Sequence, residues 1–108
     1  MTVNELIDRS GFKALALPDG DREITGVYIG DLLSWVMGRA SSGDAWITIM
    51  SNMNVIAVAT LADTACIIVA EDVSLEQDII DTAKLKDVNI LSAPNGIYET
   101  AVELSGLL

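Results

Sequence analysis

Histidine is absent from the 108 residues and cysteine occurs once. Without histidine there is no Ser-His-Asp or Cys-His nucleophile system, no imidazole acid–base catalyst, and no zinc site that requires an imidazole. With one cysteine there is no all-cysteine metal site and no intrachain disulfide. Cys66 lies in an apolar run and reads as a buried, inert thiol of a reducing compartment. Basic residues are also scarce, six against sixteen acidic ones, for a formal charge of −10. Arg9, Lys13, Arg22, Arg39, Lys84 and Lys86 are scattered along the chain, so no basic patch awaits nucleic acid or an anionic membrane. Long apolar runs are missing. The longest, Val55 to Leu61, is broken by Thr60 and is far too short to cross a bilayer. No charged segment followed by an apolar one opens the chain, so export is not expected and the cytoplasm is the expected location.

What is present describes a folded domain. Hydrophobic residues make up 51 % and charged ones 20 %, a balance that excludes disorder and gives one domain, residues 1–108, a real core. Thr2-Val3-Asn4-Glu5 is a capping box that opens a short helix with Val3, Leu6 and Ile7 inward, stopping at Gly11. Phe12 to Leu17 reads as a strand ended by the Pro18-Asp19-Gly20 turn, and Ile24 to Ile29 as a second. Gly30-Asp31 is expected to cap a helix that turns Leu32, Leu33, Val36 and Met37 inward.

Further along, strands are expected at Ala45–Met50, Ala65–Ala70 and Val88–Leu91. Helices are expected from Asn54 to about Ala62, from a second capping box at Ser74-Leu75-Glu76-Gln77, and from Asn95, the last with Ile97, Ala101, Leu104 and Leu108 on its inner side. Short buried strands alternating with helices predict an α/β fold: three layers, α/β/α, around a mainly parallel sheet.

Several segments together resemble the free-standing DRTGG domains of bacteria: Gly26-Val27-Tyr28-Ile29-Gly30-Asp31-Leu32-Leu33-Ser34, Trp46-Ile47-Thr48-Ile49, Asn54-Val55-Ile56-Ala57-Val58-Ala59, and the closing Tyr98-Glu99-Thr100-Ala101. The resemblance spans roughly residues 20 to 105. It implies a non-catalytic regulatory module like those fused to phosphotransacetylases and CBS-domain pyrophosphatases, where an adenine nucleotide binds in the regulatory region. It also implies a fold like the N-terminal domain of HPr kinase/phosphorylase. Kinase chemistry does not follow, because the chain has no Gly-x-x-x-x-Gly-Lys-[Ser/Thr] phosphate loop. One departure matters. The fused relatives carry Gly-Asp-Arg after the strand equivalent to residues 45–50, whereas this chain has Met50-Ser51-Asn52-Met53-Asn54 and so lacks that phosphate contact.

Asp19-Gly20-Asp21-Arg22-Glu23 alternates carboxylates, but Ile24 and Gly30 stand where a calcium loop needs glycine and glutamate, so it reads as a solvated turn. In parallel sheets ligands bind beyond the carboxyl ends of the strands. The loops expected there contribute Ser51, Asn52 and Asn54, then Glu71 and Asp72, then Pro94 and Asn95, with Tyr98 on the last helix, as the candidate ligand-binding set. Glu71 and Asp72 could equally serve the N-terminus of the following helix. Met50 and Met53 suit either a core or a small planar ligand. Trp35 and Trp46 read as core or subunit contact.

The expected function is therefore that of a non-catalytic sensor of a small metabolite or nucleotide, with no cofactor and no metal. The alternative is a protein-interaction subunit of a redox or signalling complex with no small ligand. A mean hydropathy of +0.44 is high for so short a chain. It predicts a homodimer through Trp35, Met37 and the apolar helix from Asn54, with Ala57 and Ala59 on its outer side.

Overall fold

The computed structural model describes residues 1–108. Its elements in chain order are α1 (Val3–Arg9), β1 (Lys13–Ala16), β2 (Gly26–Ile29), α2 (Leu33–Arg39), β3 (Asp44–Thr48), α3 (Asn54–Ala62), β4 (Cys66–Val69), α4 (Gln77–Leu85), β5 (Ile90–Ser92) and α5 (Ile97–Leu107). The five strands form one sheet in the order β1-β5-β4-β3-β2. The β2–β3, β3–β4 and β4–β5 pairs are parallel, and only β1 runs antiparallel, against β5. This is the expected α/β class.

The layers follow from the two-residue period of the strands. Ala45 and Ile47 of β3 and Cys66 and Ile68 of β4 share a core with Val3 and Leu6 of α1 and Leu104 of α5. The alternate residues Trp46, Ile67 and Val69 share the opposite core with Val36 of α2, Val55 and Ile56 of α3, and Ile79 and Ala83 of α4. Every residue of β3 and β4 is buried, as central parallel strands covered on both faces should be. The strand order never reverses from β2 to β5, so right-handed crossovers put α2, α3 and α4 on one face. The second face is covered by the first and last helices.

The capping box at Thr2 forms: its hydroxyl accepts from the Glu5 N–H and the Glu5 carboxylate accepts from the Thr2 N–H, both at 3.1 Å. The other expected caps do not. α4 starts at Gln77 after Glu76, beyond Ser74, and α5 starts after Gly96, with no side-chain cap on either. Asp31 does not cap α2, whose flanking residue is Leu32. β3 stops at Thr48, short of Met50, because Asp31 takes the next backbone N–H out of the ladder. Leu32, Met37 and Leu108 face solvent, while Ala59 faces the core. A short helix on an edge strand covers only one stripe, and in α2 that stripe is centred on Val36.

Cys66 is buried, and burial pushes its thiol from 9.0 up to about 12. A thiol with a raised pKa in the folded state favours folding below its unfolded pKa, and that contribution is lost as pH rises from about 9 to about 12. The expected result is no reaction of the native protein with a disulfide reagent at pH 8 and full reaction in guanidinium. The urea midpoint should also fall less between pH 9 and 11 in Cys66→Ala than in the unchanged chain. Rapid native-state labelling would contradict this.

Candidate functional site

The carboxyl edge of the sheet is shaped by Asp31, which follows β2. One of its oxygens, Oδ1, accepts from the Thr48 hydroxyl at 2.7 Å and from the Ile49 N–H at 3.0 Å. The fully buried Thr48 in turn accepts from the Met50 N–H at 3.1 Å. These bonds end β3 and turn the chain outward over residues 49–53. Asn52 then accepts from the Asn54 N–H at 2.9 Å, ordering the entry to α3. The sequence reading missed Asp31 because an acid at that spacing before a helix looks like a cap. Its position at the end of an edge strand, level with the end of β3, is the signal that it bonds sideways.

Ser51 and Asn52, with Met50 and Met53, form one wall of a groove of about 440 Å³. The start of α4 forms the other, through Glu76, Asp78 and Ile79. Glu76 and Asp78 were not among the expected site residues, because acids at the start of a helix read as complements to its dipole. The groove therefore pairs amide and hydroxyl groups with carboxylates. That suits a neutral ligand, or an anion bound with a cation, over a bare polyanion.

The remaining candidates lie apart. β4 and β5 are neighbours, yet their helices leave to opposite faces, so the loops after them diverge. Backbone bonds close this divergence: the Glu71 N–H donates to the Asn95 carbonyl at 2.7 Å, and the Asp72 N–H to the Ala93 carbonyl at 3.0 Å. Glu71 and Asp72 are left-handed in succession, with φ of 65° and 53°. For non-glycine residues that costs of order 1–3 kcal/mol each, and the two bonds hold it in place.

The Glu71 carboxylate lies over Gly96, where a Cβ would stand 2.9 Å from its Oε1, and Glu99 Oε1 would be 3.2 Å away. Both carboxylates thus stand at the positive end of α5. Asp72 lines a separate cavity of about 280 Å³ with Lys13, Val73 and Ser74. Tyr98 is 77 % exposed and lines none of the four main cavities. Ser51 and Asn52 thus share one groove, Glu71 and Asn95 share one backbone junction, and Asn54, Pro94 and Tyr98 stand outside the groove.

Elsewhere, Asp19 and Asp21 lie on an exposed turn, as expected, and Arg22 just beyond it pairs with Asp63 at 3.1 Å. Hydrogen bonds from Ser42 and from Arg22 hold the Asp63 carboxyl below its usual range. Trp46 is core, whereas Trp35 is half exposed under the Arg39 guanidinium, 3.6 Å from the ring centroid. No helix is long and apolar enough to cross a membrane.

Comparison with known proteins gives a consistent picture. The family model for the DRTGG domain matches residues 19–107. No curated protein matches the chain. Among solved structures, the chain is similar to the CBS and DRTGG domains of the regulatory region of Clostridium perfringens pyrophosphatase, complexed with the activator diadenosine tetraphosphate. The TM-score is 0.73 at 15 % identity, covering 94 % of this chain and 45 % of that one. This chain therefore spans under half the length of that regulatory region.

Proposed function

Because the chain belongs to the DRTGG domain family, we propose that it is a non-catalytic regulatory domain that binds a small metabolite or nucleotide in the groove between residues 49–53 and the start of α4. The observation that carries the reading is that groove: about 440 Å³, at the carboxyl edge of the sheet, with Ser51 and Asn52 facing Glu76 and Asp78. The pyrophosphatase relative is complexed with a nucleotide activator, which favours an adenine nucleotide among possible ligands. With no Gly-Asp-Arg at residues 50–54, the phosphates would enter paired with magnesium, which matches the two carboxylates better than a bare anion does.

The domain is read as working in a homodimer. Val27 and Ile29 pair in register with Ala45 and Ile47 and so point into the same layer, yet they are 39 % and 46 % exposed. The outer edge of β2 has no strand beside it. On the opposite, α2 side of the sheet, Leu32 and Trp35 are exposed as well. The same observation supports the alternative, a protein-interaction subunit that docks a partner enzyme there and needs no small ligand.

A thermal-shift screen separates the two readings. Diadenosine tetraphosphate and ATP, each with and without magnesium, are the first probes. A ligand at 100 times its dissociation constant stabilises the fold by about 2.7 kcal/mol, and amide shifts are expected at residues 49–53 and 76–79. Shifts confined to residues 2–10 would remove the groove from the reading, and a silent screen would favour the interaction subunit. Light scattering on the same samples settles the dimer, since a clean 11.5 kDa species would exclude it.

A further inference from the structure

Away from this groove, a second cavity of about 420 Å³ lies in the trough between α3 and α4, sharing only Met53 with the first. Its composition is unusual for this surface. Ile56 lies buried beneath it, Ala57 keeps it open, and Leu61, 73 % exposed, stands at its rim. Two threonines line it, but neither has a hydroxyl proton to offer: Thr60 donates to the Ile56 carbonyl at 2.9 Å and Thr82 to the Asp78 carbonyl at 2.8 Å. Lys86 is the one charged residue in the lining. The three ion pairs of the molecule are Met1–Glu23, Arg9–Glu5 and Arg22–Asp63, so the Lys86 ammonium has no carboxylate partner. In a chain with sixteen acids, an apolar trough with an unpaired cation and no carboxylate is a specific combination.

We propose that this trough binds a small amphiphilic monocarboxylate, its alkyl or aryl tail over Ile56, Ala57 and Leu61 and its carboxylate on the Lys86 ammonium. The trough asks for a tail, because the threonine donors are spent, and for one anionic group, because one cation is free. A polyanion is repelled by the surrounding charge of a chain with sixteen acids and six cations.

The test is a titration of the full chain, followed by amide chemical shifts, with sodium decanoate below its micelle concentration. Sodium acetate and decylammonium chloride serve as controls. Decanoate is expected to saturate with shifts at Ala57, Thr60, Leu61, Thr82 and Lys86, acetate to leave them still, and decylammonium to bind more weakly. Lys86→Gln should weaken decanoate roughly three- to tenfold, while Lys84→Gln leaves it unchanged. Ala57→Leu should abolish binding by filling the trough; if that variant unfolds, the exposed Lys86→Gln still decides. Equal binding of decanoate and decylammonium overturns the proposal. So does the absence of saturable shifts, or movement of these signals with protein concentration alone, which would put a second copy there.

Discussion

Asn89→Leu is expected to lower the unfolding free energy by about 2–4 kcal/mol, a large share of the 5–15 kcal/mol typical of a domain this size. Asn89 is 2 % exposed and makes three hydrogen bonds to backbone. Its Nδ2 donates to the Asp19 carbonyl at 2.7 Å and to the Ala65 carbonyl at 2.9 Å, and its Oδ1 accepts from the Asp19 N–H at 3.0 Å. It therefore pins the crossing segment between β1 and β2 to the amino edge of β4 and β5. Leucine fills the same volume but leaves three backbone groups unpaired. Asp19 is exposed enough for water to repair part of the loss, which keeps the figure below three full penalties. The urea midpoint with an unchanged m-value checks it, and a loss under about 1 kcal/mol would show that Asn89 is incidental.

Trp46→Ala is expected to cost about 3–5 kcal/mol, the range for removing a buried large aromatic side chain. Trp46 is fully buried in the layer shared with α2, α3 and α4, and its Nε1 donates to the Gly30 carbonyl at 2.8 Å. The truncation thus opens a cavity and frees a carbonyl just before Asp31, the residue that shapes the groove. Trp46→Phe retains most of the packing and loses the bond, so it should cost about 1–3 kcal/mol. The ratio of the two costs separates packing from hydrogen bonding. In a Trp35→Phe background the fluorescence of Trp46 alone should follow unfolding. If the alanine variant unfolds at the same urea concentration as the unchanged chain, the assignment of Trp46 to the core is wrong.

The alternation of strands and helices was legible in the sequence because short β-branched runs such as Cys66–Val69 suit buried strands, while the longer, alanine-containing stretch Asn54–Ala62 suits a buried helix by its length and composition. The capping box at Thr2 was legible because its Glu5 arm is local. The same pattern at Ser74 misled, since the loop there is spent on turning through two left-handed residues, and the backbone bonds that stabilise Glu71 and Asp72 come from the loop after β5. Asp31 misled for the same reason, its partners being on β3. Side chains that act within four residues leave a local pattern, whereas those that act across the sheet, such as Asp31, leave only their position at a strand end. Ser51 and Asn52 could be placed at a strand end. Their neighbours Glu76 and Asp78 come from the start of a helix distant in sequence, and acids there carry no sign of which loop they will face.

The placement of β1 has a consequence for how the chain acquires its structure. From β2 to β5 each strand lies beside the one made just before it, so these units can assemble in the order of synthesis. β1 emerges from the ribosome before any of them, yet Lys13 pairs with Ser92 and Ala14 with Leu91. It has no strand to join until nearly the whole chain has been made. Pairings between such distant residues are entropically late, so the first strand synthesised is the last to dock. Until then the edge of β5 stands open, and the nascent domain is most vulnerable there to pairing with a neighbour.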